Sequence, residues 1–185
     1  IEYPKLKKKG YTLRWDKHPE TVTQDEEIHA SWEFSNPTGK VFDIEGNRYE
    51  IINSSIKNGS VRLLYFIEDG SRVNVPEKVK IGDYYYFIEE IAFQAFSDCT
   101  KMRTICLPDC VRIIDDGAFM HCKRLEKIVL GKGRSSKLHS IGKRAFAGNE
   151  HLKEIYFRGR NLRKIYSTTF EGLKKVVQIS VLPTE

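Results

Sequence analysis

A chain of 185 residues, 40% of them hydrophobic, is long enough to bury a real core as one or two compact units. Its formal charge of +6 is uneven: residues 1–99 hold 13 Lys and Arg against 17 Asp and Glu, residues 100–185 hold 18 against 8. No apolar stretch approaches a membrane span, and four cysteines are too few for a disulfide-built scaffold.

The chain opens on Ile1-Glu2-Tyr3-Pro4, with neither Met nor a leader, and reads as a piece of a longer protein. Tyr11, Leu13 and Trp15 alternate with polar residues, and so do Ile28, Ala30 and Trp32, which predicts two half-buried strands. Between them, His18-Pro19-Glu20 interrupts the pattern, since Pro offers no amide to a ladder. The stretch PKLKKKGYTLRWDKHPETVTQDEEIHASW resembles the second half of the repeat found in Listeria and Bacteroides surface proteins. Pro4, Gly10-Tyr11, Trp15, Val22-Thr23, Asp25 and Ala30-Ser31-Trp32 fill most of that pattern, with Leu13 in place of an aromatic. The resemblance implies a partial β-grasp-like module over residues 1–35. Trp15 and Trp32 are expected in its core rather than on a binding platform.

Ser35-Asn36-Pro37-Thr38-Gly39 has linker chemistry. Strand-rich sequence follows. Val41, Phe42 and Ile44 run into a turn at Glu45-Gly46-Asn47 and on to Tyr49, Ile51 and Ile52. Val61 to Ile67 forms another strand. Of Tyr84-Tyr85-Tyr86, at least one must face outward. Residues 36–87 are read as the N-terminal cap of a repeat stack, whose end coil needs its apolar side covered.

The repeat itself is IAFQAFSDCTKMRTICL at 91–107, IDDGAFMHCKRLEKIVL at 114–130, IGKRAFAGNEHLKEIYF at 141–157 and a worn IYSTTFEGLKKVVQISV at 165–181. Phe96, Phe119, Phe146 and Phe170 recur at 23, 27 and 24 residues, the period of leucine-rich coils. In each copy, residues after the Phe at helical spacing predict a turn or short helix, with Asp115-Asp116 placed to cap it. The alternation ending in Ile105-Leu107, Ile128-Leu130 and Ile155-Phe157 predicts a short strand. Residues 88–185 are thus expected to stack into coils with a parallel sheet and a phenylalanine column. Gly131-Lys132-Gly133-Arg134-Ser135-Ser136-Lys137 makes the second copy longer and is expected to bulge. It lacks the spacing of a phosphate loop. The pattern closely resembles the Bacteroides surface protein A type of leucine-rich repeat, carried by Ile141-Gly142, Ala145-Phe146, Gly148, Cys99, Cys122, Leu107-Pro108 and Val111. Asn149, Leu173 and Thr169 depart from it. The fold class read from all this is an α/β, strand-dominated leucine-rich repeat solenoid preceded by a small β module.

Cys99 and Cys122 share a repeat position, so they stack as a disulfide or, the favoured reading, as two buried thiols. No zinc or other metal site, cofactor or catalytic constellation is read: Cys and His do not converge, and Asp115-Asp116 and Glu89-Glu90 fall where turns need polar residues. The outward strand positions are Thr104, Cys106, Lys127, Val129, Glu154, Tyr156, Gln178 and Ser180. From them, Thr104, Lys127, Val129, Glu154, Tyr156 and Gln178, together with Arg158, are the candidate ligand contacts. Arg158, Arg160, Arg163 and Lys164 form a basic cluster beyond the third strand. The surface is mixed and fits a protein partner better than nucleic acid, which wants aligned cations and stacking rings. The two resemblances imply a secreted or cell-surface bacterial protein that binds a host extracellular or surface protein without catalysis. A spacer without a ligand and a basic surface for acidic glycan are the alternatives.

Overall fold

The computed structural model describes residues 11–15, 30–34, 36–55, 57–67, 70–133, 135–174 and 178–181, with 11–15, 30–34 and 178–181 as backbone alone. Strands β1 (Tyr11–Trp15) and β2 (Ala30–Phe34) pair antiparallel, Trp15 opposite Ala30. These are two of the strands expected from alternation. The core reading of Trp15 and Trp32 and the motif residues Pro4, Gly10, Val22, Thr23 and Asp25 lie outside the described residues, as does Ser35 of the linker.

Next come β3 (Val41–Ile44) and β4 (Asn47–Asn53), joined through Glu45 and Gly46. Both turn residues have positive φ, 51° and 79°, as a two-residue hairpin loop of matching twist requires. Strand β5 (Ser60–Tyr65) pairs antiparallel with β4 and parallel with β8 (Tyr84–Ile91) on its other side. The short β6 (Arg72–Asn74) belongs to a different sheet, while β7 (Lys78–Ile81) forms a hairpin with β8. Of the three tyrosines, Tyr86 is buried, Tyr85 is exposed and Tyr84 lies between.

The repeats supply β9 (Thr104–Leu107), β10 (Ile113–Ile114), β11 (Lys127–Leu130), β12 (Ser140–Ile141), β13 (Glu154–Phe157) and β14 (Gln178–Val181). They build two walls. One is a five-stranded parallel sheet in the order β14-β13-β11-β9-β6. The other continues β12-β10-β8 into the antiparallel β5-β4-β3, with β7 alongside β8. Among the described residues the molecule is therefore a strand-dominated solenoid whose N-terminal end is closed by antiparallel strands.

Between the walls lies the core. Ile91, Ile114 and Ile141 face in from one side, and Ile105, Ile128 and Ile155 from the other. Phe96, Phe119, Phe146 and Phe170 form the expected column, with ring centroids 4.8, 5.4 and 5.6 Å apart. The column has a fifth member that the period did not reveal. Phe66 stacks on Phe96 at 4.8 Å, and its N–H donates to the Ala95 carbonyl at 3.1 Å. Residues 63–67 and 70–75 thus belong to a shortened coil: Leu63 leads to Phe66 after three residues, where the full repeats use five.

The helical component of the predicted fold class is not found. The only helical element among the described residues is a four-residue 3-10 segment, Ser167–Phe170. The other repeats turn at Phe93–Asp98, Asp116–His121 and Lys143–Gly148. The reason is backbone sign. The fourth and eighth residues of each of these copies are left-handed: Gln94 and Asp98, Gly117 and His121, Arg144 and Gly148, all between φ 53° and 68°. A right-handed helix cannot pass through such residues. Backbone bonds run between coils instead. The N–H groups of Phe96 and Asp98 donate to the Ala118 and Met120 carbonyls at 2.8 and 2.9 Å, and those of Phe119 and His121 to Ala145 and Ala147 at 2.8 and 2.9 Å. Asp116, expected to cap a helix, accepts instead from the Lys143 N–H of the next coil at 2.6 Å.

The spacer 131–137 is tied down more than a bulge implies. Asp109 accepts from the Lys132 and Gly133 N–H groups at 2.6 and 3.0 Å, Asn161 donates to the Ser136 carbonyl at 2.8 Å, and Ser136 is buried. Arg134 lies outside the described residues.

Candidate functional site

Parallel pairing in register sorts the outward residues of the five-stranded sheet into two columns. Arg72, Thr104, Lys127, Glu154 and Gln178 make one; Asn74, Cys106, Val129, Tyr156 and Ser180 make the other. Every strand from β9 to β13 alternates half-buried with buried, so these positions face out while Ile105, Leu107, Ile128, Leu130, Ile155 and Phe157 face in. The structure thus brings Thr104, Lys127, Val129, Glu154 and Tyr156 onto one face. Gln178 and Ser180 continue the two columns by backbone register alone; their side chains lie outside the described residues. Arg158 sits just past β13, exposed, with its guanidinium donating to the Lys132 carbonyl at 3.2 Å.

Three of these residues satisfy one another. The Lys127 ammonium lies 3.2 Å from a Glu154 carboxylate oxygen and 4.3 Å from the Tyr156 ring centre, and the Tyr156 hydroxyl donates to Glu154 at 3.1 Å. Lys127 first, then the Tyr156 hydroxyl, holds the Glu154 carboxyl below its usual range. One position earlier, Glu126 lies between Lys153 at 3.2 Å and Arg103 at 2.5 Å, which lower its carboxyl in that order. On the opposite wall Arg62 takes Glu90 at 2.6 Å and Glu50 at 3.5 Å. In these columns charges alternate in sign. Such pairs are solvent-screened and order side chains more than they stabilise the fold.

The cysteines occupy three environments. Cys122 is fully buried, and its thiol donates to the Phe96 carbonyl of the preceding coil at 3.0 Å. Its neighbour Cys99 and burial together push that thiol's pKa up. Cys110 is bonded to the Ile88 and Glu77 carbonyls at 3.2 and 3.3 Å, and burial pushes it up to about 12. Cys106 alone faces outward, half-buried. All four are free thiols, and among the described residues no His, Cys, Asp and Glu converge as metal ligands. No helix among them is long and apolar enough to cross a membrane.

A second surface lies on the other flank. Arg112, Lys137, His139, Asn161 and Arg163 line an open groove of about 470 Å³. Arg112, His139 and Arg163 hold the same place, two residues before the repeat isoleucines 114, 141 and 165. Backbone bonds from His139 to Arg112 at 2.9 Å and from Arg163 to His139 at 3.0 Å stack them directly. The sequence reading grouped Arg163 with its neighbours in the chain, Arg158, Arg160 and Lys164. The structure groups it across coils. Aligning the residues before each repeat isoleucine gives the column Glu89, Arg112, His139, Arg163, a pattern hidden by the longer second copy.

The family model for the BspA type leucine rich repeat region matches six times across residues 77–184, more than half of the chain. The chain belongs to this family. No curated protein matches it. Among solved structures, a leucine-rich repeat protein from Bacteroides capillosus ATCC 29799 aligns with a TM-score of 0.61 at 19% identity, over 76% of this chain and 99% of that one. A leucine rich cell surface protein from Faecalibacterium prausnitzii A2-165 aligns with a TM-score of 0.53 at 21% identity, over 65% of this chain. This chain covers 33% of that protein. At such identities the likeness is one of fold, and it agrees with the BspA-type assignment of the coils.

Proposed function

We propose that this BspA-type solenoid is a non-catalytic binding module of a secreted or surface-exposed bacterial protein, engaging a protein ligand through its five-stranded face. The ligand in view is a host extracellular or surface protein. One observation carries the reading. The outward columns are separated from core duty residue by residue, so their chemistry can be set by a partner at no cost to the stack. A parallel sheet stapled on every coil is also a rigid platform, which limits the entropy lost on docking. The cell-surface description of the Faecalibacterium relative supports the address. The hairpin β1–β2 supports a small β module ahead of the solenoid, of the Listeria–Bacteroides repeat type.

A screen of the chain against host extracellular proteins tests this, repeated with Tyr156→Ala and Lys127→Glu. Saturable binding is expected to at least one protein, to persist at about 0.3 M salt, where distant charges are screened, and to weaken about tenfold in one variant, as loss of an interface anchor does. The mutual satisfaction of Lys127, Glu154 and Tyr156 favours the second reading, a spacer whose surface needs no ligand. If no protein binds at micromolar concentration, the spacer becomes the better reading.

A further inference from the structure

The flank groove differs from the ion-paired columns of the two walls. In those, cations and carboxylates alternate: Arg103–Glu126–Lys153, Glu50–Arg62–Glu90 and Lys127–Glu154. Here Arg112, His139 and Arg163 are stacked in successive coils, at a strand spacing of about 4.8 Å. Glu89 pairs with Arg112, at 3.9 Å. Among the described residues no acid pairs with Lys137, His139 or Arg163. Arg112, Lys137 and Arg163 together outnumber the single carboxylate beside them, and such an excess of positive charge concentrates anions in the groove.

We propose that this groove binds the anionic groups of an acidic polysaccharide. Three features favour a glycan over other polyanions. The groove is open and three of its lining residues are stacked coil on coil, so a linear chain laid along the stack meets them in turn. Asn161 spends one amide N–H on the Ser136 carbonyl and keeps its side-chain oxygen as an acceptor; a sugar supplies hydroxyl donors beside its acids, whereas phosphodiester and polycarboxylate backbones are rich in acceptors. Among the described residues no Phe, Tyr or Trp lines the groove, and the His139 imidazole is its one flat ring, so a run of bases would find no continuous stacking platform. Arg112 and Arg163 take carboxylate or sulfate through their guanidinium forks, and Lys137 adds a point charge at the rim. This site is independent of the five-stranded face, and its occupancy does not require the protein ligand.

The test titrates the chain with a heparin oligosaccharide and with an oligogalacturonate at about 0.15 M salt, conditions under which weak surface attraction is already screened. Poly-glutamate and a single-stranded oligonucleotide of equal charge serve as the other polyanion classes. Binding of heparin alone assigns sulfate; binding of both glycans assigns carboxylate as sufficient. The variant Arg112→Gln/Arg163→Gln is expected to lose about tenfold or more in affinity, as removal of two charge-assisted contacts does. Arg103→Gln/Lys153→Gln, with the same loss of charge, should change it less than about twofold, since those cations are already paired. Lys137→Gln alone should lose about threefold, and melting curves check that each variant folds. Equal losses in the two double variants would overturn the location. An oligonucleotide or poly-glutamate bound as tightly as the glycans would overturn the glycan assignment. No binding of either glycan would overturn the proposal as a whole.

Discussion

The first three full coils and the fourth are built from the same repeat, yet they are held together differently. In the inner coils Phe96, Phe119 and Phe146 are sandwiched on both faces and fully buried, with Ala95, Ala118 and Ala145 making room beside them. In the fourth, among the described residues, Phe170 is stacked from one side by Phe146 and is only partly buried, and Ile165 is exposed. Thr169 replaces the Ala there. It is not a slack position: the hydroxyl accepts from the Tyr166 N–H at 3.1 Å and donates to the Gly142 carbonyl at 3.0 Å while fully buried. The inner coils thus hold by apolar contact on two faces, the fourth by one apolar face and a polar staple. In a solenoid, where stability is shared between neighbours, the cost of a lesion should follow the number of faces it touches.

The strongest way to break this comparison is to remove one ring from each kind of coil. Phe119→Ala empties a site sealed on both faces and should cost about 3–5 kcal/mol. Phe170→Ala removes a half-exposed ring from a coil that can relax, and should cost less than half of that. Urea unfolding measures both. Equal losses would mean that stability is not distributed by contact number.

Much of this architecture is written in the sequence, because it rests on periodicity. Four in-register isoleucines and phenylalanines fixed the inward and outward faces of β9, β11 and β13 before any coordinates. What periodicity could not show depends on exceptions to it. Phe66 joins the column from three residues after Leu63, so a search at the repeat's own spacing passes over it. Apolar spacing after Phe119 fits a turn or a short helix alike; the sign of φ at the fourth and eighth residues decides for the turn. Gly117, Gly148 and Gly172 hint at it, but Gln94, Asp98, His121 and Arg144 conceal it. The flank groove was missed because its column crosses coils of unequal length.

Asn149 sharpens the comparison at a smaller scale. It stands where Cys122 stands one coil earlier, and does the same work: its amide donates to the Phe119 carbonyl at 2.9 Å and to that of Phe146 at 3.0 Å. The fourth coil has Leu173 here, which cannot donate. Asn149→Leu should therefore cost about 1–3 kcal/mol, the penalty of leaving buried carbonyls unpaired. Asn149→Cys retains a donor and removes the Asn149 side-chain oxygen, which is buried without a partner among the described residues. It should stay within about 0.5 kcal/mol of the parent, because the two effects oppose. A thermal melt in which Leu and Cys behave alike would show that the donor is dispensable.

The smallest expected effect is a gain. Gln94 is exposed, sits at φ 53° and makes its turn at the position where Gly117 makes the next. Holding a residue with a Cβ in the left-handed region costs about 1–2 kcal/mol. Replacing it with glycine gives back about 0.5–1 kcal/mol of that through the freer unfolded chain. Gln94→Gly should thus stabilise the solenoid by about 0.5 kcal/mol, the difference of the two terms. Gln94→Val should act in the opposite sense, since a β-branched side chain tolerates positive φ least. The pair isolates backbone strain from side-chain contact, because neither substitution touches the phenylalanine column. If Gly lowered the urea midpoint while Val left it unchanged, the left-handed turn residues would be incidental to the coil. The ordering Gly above Gln above Val would instead identify the paired left-handed positions as the feature that turns the chain in each inner coil and keeps helix out of it.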